Sequence, residues 1–298
     1  MIRATSGMAH TSRRRRGETA GLLAAAVLAI PVLAGVAYSA AASIGIVGSG
    51  ATRYASVARV ARVLGENATW TGLVWTLWVS AVATTLATAG AVLVAVLFRS
   101  NSGASRMGRF FAAVPLPIPH VVAGALGIWM LSQSGVLARV AFALGLIARP
   151  ADMPELVYDR LGAGLAMTLA WKEMAFLGVV ATALLATRGA DAEEAARTLG
   201  ASAWEAFRRV TWPLLWRGLA PAVVAVFVFV TGNYEVAALL APSNPLTLPL
   251  LVAERAADPD LARRGDAYVA SLLLLTIGIV AVAVHEWARA RWEPLSVR

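Results

Sequence analysis

Six apolar stretches, each reaching or exceeding the ~20 residues that a helix needs to cross a ~30 Å hydrocarbon layer, limit what this chain can become. They run over residues 20–42, 70–98, 110–132, 161–187, 213–240 and 267–287. Hydrocarbon offers no water to backbone N–H and C=O groups, so each stretch must close its own hydrogen bonds as a helix. The expected fold is all-α and integral to the membrane, with six transmembrane helices. Composition agrees, since 59% of the residues are hydrophobic and 14% charged, against about 25% charged in soluble domains. The absence of cysteine rules out disulfides and thiolate metal sites. His10, His120 and His285 are too scattered in sequence to suggest a metal centre, and no cofactor is expected.

An even number of spans puts both termini on one side of the membrane. With the termini inside, more of the 26 Lys and Arg residues fall on inner segments than on outer loops. Arg13–Arg16, Arg99, Arg106, Arg109, Arg197, Arg208 and Arg209 are inside, as the positive-inside rule requires. The first outer loop, with Arg53, Arg59 and Arg62, fits this topology least well. The net charge of +9 is therefore a topology signal, and no nucleic-acid partner is expected. Ser39–Ala42 could be read as a signal-peptide cleavage site. The preceding apolar run is longer than a 7–15 residue signal core, so a retained first span is expected.

Between spans four and five lies a polar island, 189–212, where most residues have an assignable local role. Asp191 and Glu194 have capping-box spacing for a helix beginning at Ala192, and Gly200 stops that helix. Ser202 and Glu205 form a second capping box, opening a helix on which Trp204, Phe207 and Val210 recur at helical spacing. The residues alone are also compatible with an amphipathic helix lying in the headgroup region, with Trp204 and Phe207 dipped into membrane lipid.

Glu194-Ala195-Ala196, then Gly200, then Val210, Trp212 and Pro213 reproduce the spacing of the EAA motif, with Val and Trp replacing the usual Ile and Leu. In this the chain resembles the inner-membrane permease subunits of binding-protein-dependent ABC importers. The resemblance implies that the loop is a coupling helix docking on a separate ATP-hydrolysing subunit, with Glu194, Ala195, Ala196, Gly200, Trp204, Phe207 and Pro213 at that contact. It further implies two copies of the ATP-binding subunit, a second permease subunit (a copy of this chain or a different one), an extracytoplasmic substrate-binding protein, and a cell-membrane location with cytoplasmic termini. The chain has no Gly-Lys phosphate loop, so ATP hydrolysis is expected to belong to a partner and the chain itself is not expected to be an enzyme. On this reading 1–19 is a basic cytoplasmic N-terminus, 20–69 the first span and outer loop, 70–287 the permease core and 288–298 a cytoplasmic tail.

Other segments are similar to those of the same family. Pro115, Pro117 and Pro119 cannot continue an α-helix, so the third span is either bent along the pathway or simply starting there. Lys172 and Glu173 fall near mid-membrane, where ionisable groups must face protein or a water-filled cavity. They are candidates for the translocation pathway or for a structural anchor. Asn233, Tyr234 and Glu235, near the outer end of the fifth span, are candidates for an outer gate. The balanced outer charge and Glu235 slightly disfavour an anionic substrate, which leaves a polyamine, a thiamine-like compound, ferric iron or a sugar. The alternative from a different class is an ion-coupled secondary carrier using Lys172 and Glu173, though no inverted repeat is visible. A Ser202/His285 intramembrane protease is disfavoured because Ser202 has a capping role in a polar loop.

Overall fold

The computed structural model describes residues 25–48, 55–188 and 190–292. Arg13–Arg16, Arg53, Gly189 and the last residues of the tail therefore lie outside the described residues, as does the side chain of Asp191. Six helical stretches are long and apolar enough to cross a membrane: Ala25–Ser43, Asn67–Leu97, His120–Ala143, Ala163–Thr187, Ala203–Thr231 and Arg263–Arg291. No strand occurs among the described residues.

The centre of the bundle is the packing of α3 (Asn67–Leu97) on α7 (Ala163–Arg188). Ala83, Ala87, Ala91 and Ala95 repeat every four residues along one face of α3 and are fully buried. Small side chains let two backbones approach closely where lipid supplies no hydrophobic drive for association. The approach is tightest at Gly90, where an added Cβ would lie 2.5 Å from the sulfur of Met174. By contrast α1 (Ala25–Ser43) leaves Val27, Leu28 and Leu33 exposed. It is held towards its C-terminal end, where Tyr38 meets Tyr268 edge-on at 5.8 Å between ring centroids.

The third span is not one helix starting at residue 110. Instead α4 (Gly103–Ala113) stops, the chain turns through 114–119, and α5 (His120–Leu131) restarts after Pro119 and leads to α6 (Val136–Ala143). Three alternate prolines remove three backbone donors and force this break. The fifth span divides as well. Its helix α10 (Trp212–Thr231) ends at Gly232, and a short α11 (Glu235–Leu240) packs on α5 and α7.

At the end of the bundle where α13 (Asp266–Trp292) begins, charged side chains form a lattice that joins distant segments. Asp266, the first residue of α13 (Asp266–Trp292), is buried. It accepts from both Arg62 nitrogens at 2.7 and 2.8 Å, and Arg62 lies on α2 (Ala58–Gly65). Arg59 lies 3.7 Å from the same carboxylate. On α12 (Leu248–Ala256), Arg255 pairs with Glu66 and donates to Thr69 at 3.0 Å. Arg59 and Arg62, two of the arginines that fit the topology rule least well, are thus both held by the Asp266 carboxylate. The 242–264 loop is more than a solvated connection: Leu248 N–H donates to Thr76 Oγ1 at 2.7 Å, against the flank of α3.

Candidate coupling loop and membrane-buried polar site

The loop begins with α8 (Ala190–Thr198), which starts two residues before the expected Ala192. Gly200 ends it at φ +92°. Gly200 N–H bonds to Arg197 O at 3.0 Å and Ala201 N–H to Ala196 O at 3.1 Å, the pair of bonds that defines a Schellman stop. An L-residue at that φ would be strained, so glycine is required by the backbone itself. The Ser202/Glu205 capping box is fully formed: Glu205 N–H donates to Ser202 Oγ at 3.2 Å, and Ser202 N–H to Glu205 Oε2 at 3.0 Å.

The second helix of the loop is not a separate element. The short α9 (Ala203–Ala206) runs through a π turn, Phe207–Thr211, directly into α10. Pro213 has no N–H to return to the preceding turn, and the wider π turn takes up the mismatch in register. Trp204 and Phe207 stack at 5.8 Å, and Trp212 and Trp216 at 5.6 Å, giving an aromatic ladder along this continuous stretch.

Neighbouring positions on a helix point in different directions, and that separates the two glutamates of α8. Glu194, Ala195, Leu199 and Trp204 are exposed, Leu199 at 89% and Trp204 at 66%, while Ala196 and Phe207 are half-buried and Pro213 is exposed. Glu193 is only 8% exposed. It accepts from Arg99 Nη1 with both oxygens at 2.9 Å and from Thr211 Oγ1 at 2.9 Å. Burial pushes its pKa up, but the bonds from Arg99 and Thr211 and the charges of Arg99 and Arg197 outweigh burial and hold the carboxyl below the ordinary range. Sequence reasoning missed Glu193, Arg99 and Thr211. The available signal was a doubled acid at the motif's start and an arginine just past the end of α3.

Inside the membrane, Lys172 and Glu173 are 6% and 7% exposed and do not pair with each other. Both turn to the proline break. Lys172 Nζ donates to Leu116 O at 3.2 Å, a carbonyl freed where α4 stops. Glu173 Oε1 lies 2.9 Å from His120 Nε2, and the His120 ring rests on Phe229 at 4.8 Å. Lys172 lies nine residues into α7, about 14 Å along its axis, and this knot ties that part of α7 to the start of the third membrane-length stretch, His120–Ala143. Backbone that leaves the helix inside a membrane needs protein or water to satisfy it; Lys172 does so for the Leu116 carbonyl, while Glu173 holds the His120 side chain at the start of α5. Asn233 is buried, its Oδ1 accepting from Val236 N–H at 3.0 Å as the cap of α11, whereas Tyr234 and Glu235 are exposed.

The chain is thus a bundle of membrane-length helices with a broken third span and a helix–glycine–helix loop at one end. The profile of the family described as "Binding-protein-dependent transport system inner membrane component" matches residues 87–294, and the chain belongs to that family. It is thus a permease subunit of an ABC importer rather than an ATP-hydrolysing one. Among curated proteins it is 30% identical over 200 residues to the inner membrane ABC transporter permease protein YnjC of Escherichia coli (strain K12). That alignment covers 66% of this chain and 37% of YnjC, so the chain spans well under half of that relative. It is 29% identical over 197 residues to the molybdenum transport system permease protein ModB of Mycobacterium tuberculosis (strain ATCC 25618 / H37Rv), covering 65% of this chain and 69% of ModB. In fold it is similar to a chain of a bacterial ABC transporter involved in import of the acidic polysaccharide alginate. The TM-score is 0.72 at 16% identity, covering 94% of this chain and 99% of that one.

Proposed function

We propose that this subunit forms one wall of a substrate pathway and couples it to ATP hydrolysis by two copies of a separate ATP-binding subunit docked on the 189–212 loop. The observation that carries the reading is the rigid, exposed Glu194–Gly200–Trp204 surface. A Schellman stop and a complete capping box fix its shape, so it is presented ready-made to a groove. A second permease subunit completes the pathway, and an extracytoplasmic binding protein delivers substrate to the outer face. Both termini are cytoplasmic, with 70–287 as the core. The exposed flank of the proline break, Leu116, Val121 and Phe229, lines the pathway from this side. Lys172 and Glu173 keep that flank in shape from behind, and Tyr234 and Glu235 stand at its outer end. The lipid-anchor reading of Trp204 and Phe207 is weaker, because in lipid a glycine at positive φ and the Ser202/Glu205 capping box would have no surface to fit.

The test is reconstitution into proteoliposomes of the chain alone and of the chain with its ATP-binding subunit, second permease and binding protein. A substrate panel covers a polyamine, a thiamine-like compound, ferric iron and a sugar, with a molybdenum source added because of the ModB relative. ATP-dependent uptake only by the full assembly is the expected result. Uptake driven by an ion gradient through this chain alone would replace this account with the secondary carrier.

A further inference from the structure

We infer that Glu193, one residue before the EAA motif, is the positioning residue that carries movement of the docked loop into the membrane helices; this rests on the docking reading above. Glu194 faces outward to meet a partner, whereas Glu193 faces inward and is the side chain through which α8 is tied to two membrane elements at once. Arg99 lies just beyond α3, the helix at the centre of the bundle. Thr211 closes the π turn at the foot of α10. π turns interrupt the regular helical ladder and recur at functional sites, and the Glu193 carboxylate is bonded to the last residue of this one, where it joins α10. The Arg99 connection continues into the third span. Arg109 of α4 donates to Ser100 O at 3.0 Å and to Phe98 O, which holds α4 against the end of α3. Displacing α8 therefore pulls on α3, on the foot of α10 and, through α4, on the proline break. Charge-assisted hydrogen bonds are short and directional, which suits a strut better than an apolar contact that could slide.

The experiment uses the complete assembly and a reporter cysteine at Val121, an exposed position beside the break; the native chain has no cysteine to interfere. Two quantities are read. One is the amount of ATP-binding subunit that co-purifies. The other is the labelling rate of Val121→Cys by an impermeant maleimide from the outer side, with ATP and vanadate relative to no nucleotide. In Glu193→Ala the co-purified subunit should stay at the wild-type level while the nucleotide-driven change in labelling falls about tenfold, the factor expected from losing a hydrogen bond to a charged group. The exchange Glu193→Arg with Arg99→Glu restores the ion pair with the ends swapped, and part of the response should return. A wild-type labelling response in Glu193→Ala overturns the inference. Loss of both quantities without rescue by the exchange also overturns it, since Glu193 would then only hold the loop's own fold. A wild-type assembly that retains no ATP-binding subunit would instead sink the docking reading, and the strut with it.

Discussion

His120 and Glu173 meet at 2.9 Å across the break in the third span, joining the first residue of α5 to the middle of α7. One residue earlier in α7, Lys172 takes up the carbonyl of Leu116 on the near side of the same break. Two consecutive side chains of one helix thereby hold both ends of an interrupted one. That arrangement gives the Leu116 carbonyl, freed by the break, a partner, where an unsatisfied buried backbone group is costly.

With this bracing, His120→Leu leaves the buried Glu173 without its partner and should lower stability by about 2 kcal/mol. Glu173→Gln should cost less, because the amide can still pair with the imidazole. Thermal unfolding of the purified protein in detergent checks the order. Equal, negligible effects for both would mean that the break is held by other contacts.

The depressed pKa of Glu193 gives a pH dependence of definite sign. A carboxyl bound more weakly to protons in the folded protein than in the unfolded chain stabilises the fold above the unfolded pKa, near 4.5. That contribution is lost as pH falls below 4.5 and through the lower folded value. Proteolysis of the 189–212 loop should therefore accelerate on acidification below about 4.5 in the wild type. Glu193→Gln, which has no carboxyl to protonate, should show a flatter profile. Identical profiles would remove Glu193 as the titrating tie.

Topology is open to a direct check. Cysteines at Ser102 and Leu199 should react only from the cytoplasmic side, and one at Ser243 only from the outer side; all three positions are exposed. Labelling of Leu199→Cys from outside would invert the orientation.

The parts of the molecule legible in the sequence were those set by local backbone chemistry. Gly200 announced the helix stop and Ser202/Glu205 the cap, because each is decided within a few residues. Pro115, Pro117 and Pro119 marked the break, but nothing local said that Lys172 and His120 would be drawn to it, since those contacts cross more than fifty residues. Asn233 was legible only as a polar residue near the membrane surface; its bond from Val236 N–H depends on where α10 stops. Glu193 stayed hidden for a related reason. A strong motif beginning at Glu194 drew attention outward, and only the placement of Arg99 and Thr211 shows which acid faces the membrane helices.

The most direct test of the central claim is whether the exposed face of the loop holds an ATP-binding subunit. Glu194→Lys reverses a charge on that face, and Gly200→Val places a β-branched residue at φ +92°, a strain of about 1–2 kcal/mol; neither residue is in an apolar span. Affinity purification of the assembly carrying each change, compared with Trp204→Ala and Phe207→Ala, measures how much ATP-binding subunit is retained. The account predicts that Glu194→Lys and Gly200→Val each lose most of that subunit and of ATP-driven uptake while the permease still inserts in the membrane. Full retention and uptake in both, with loss confined to the Trp204 and Phe207 variants, would contradict docking and favour a loop anchored in lipid.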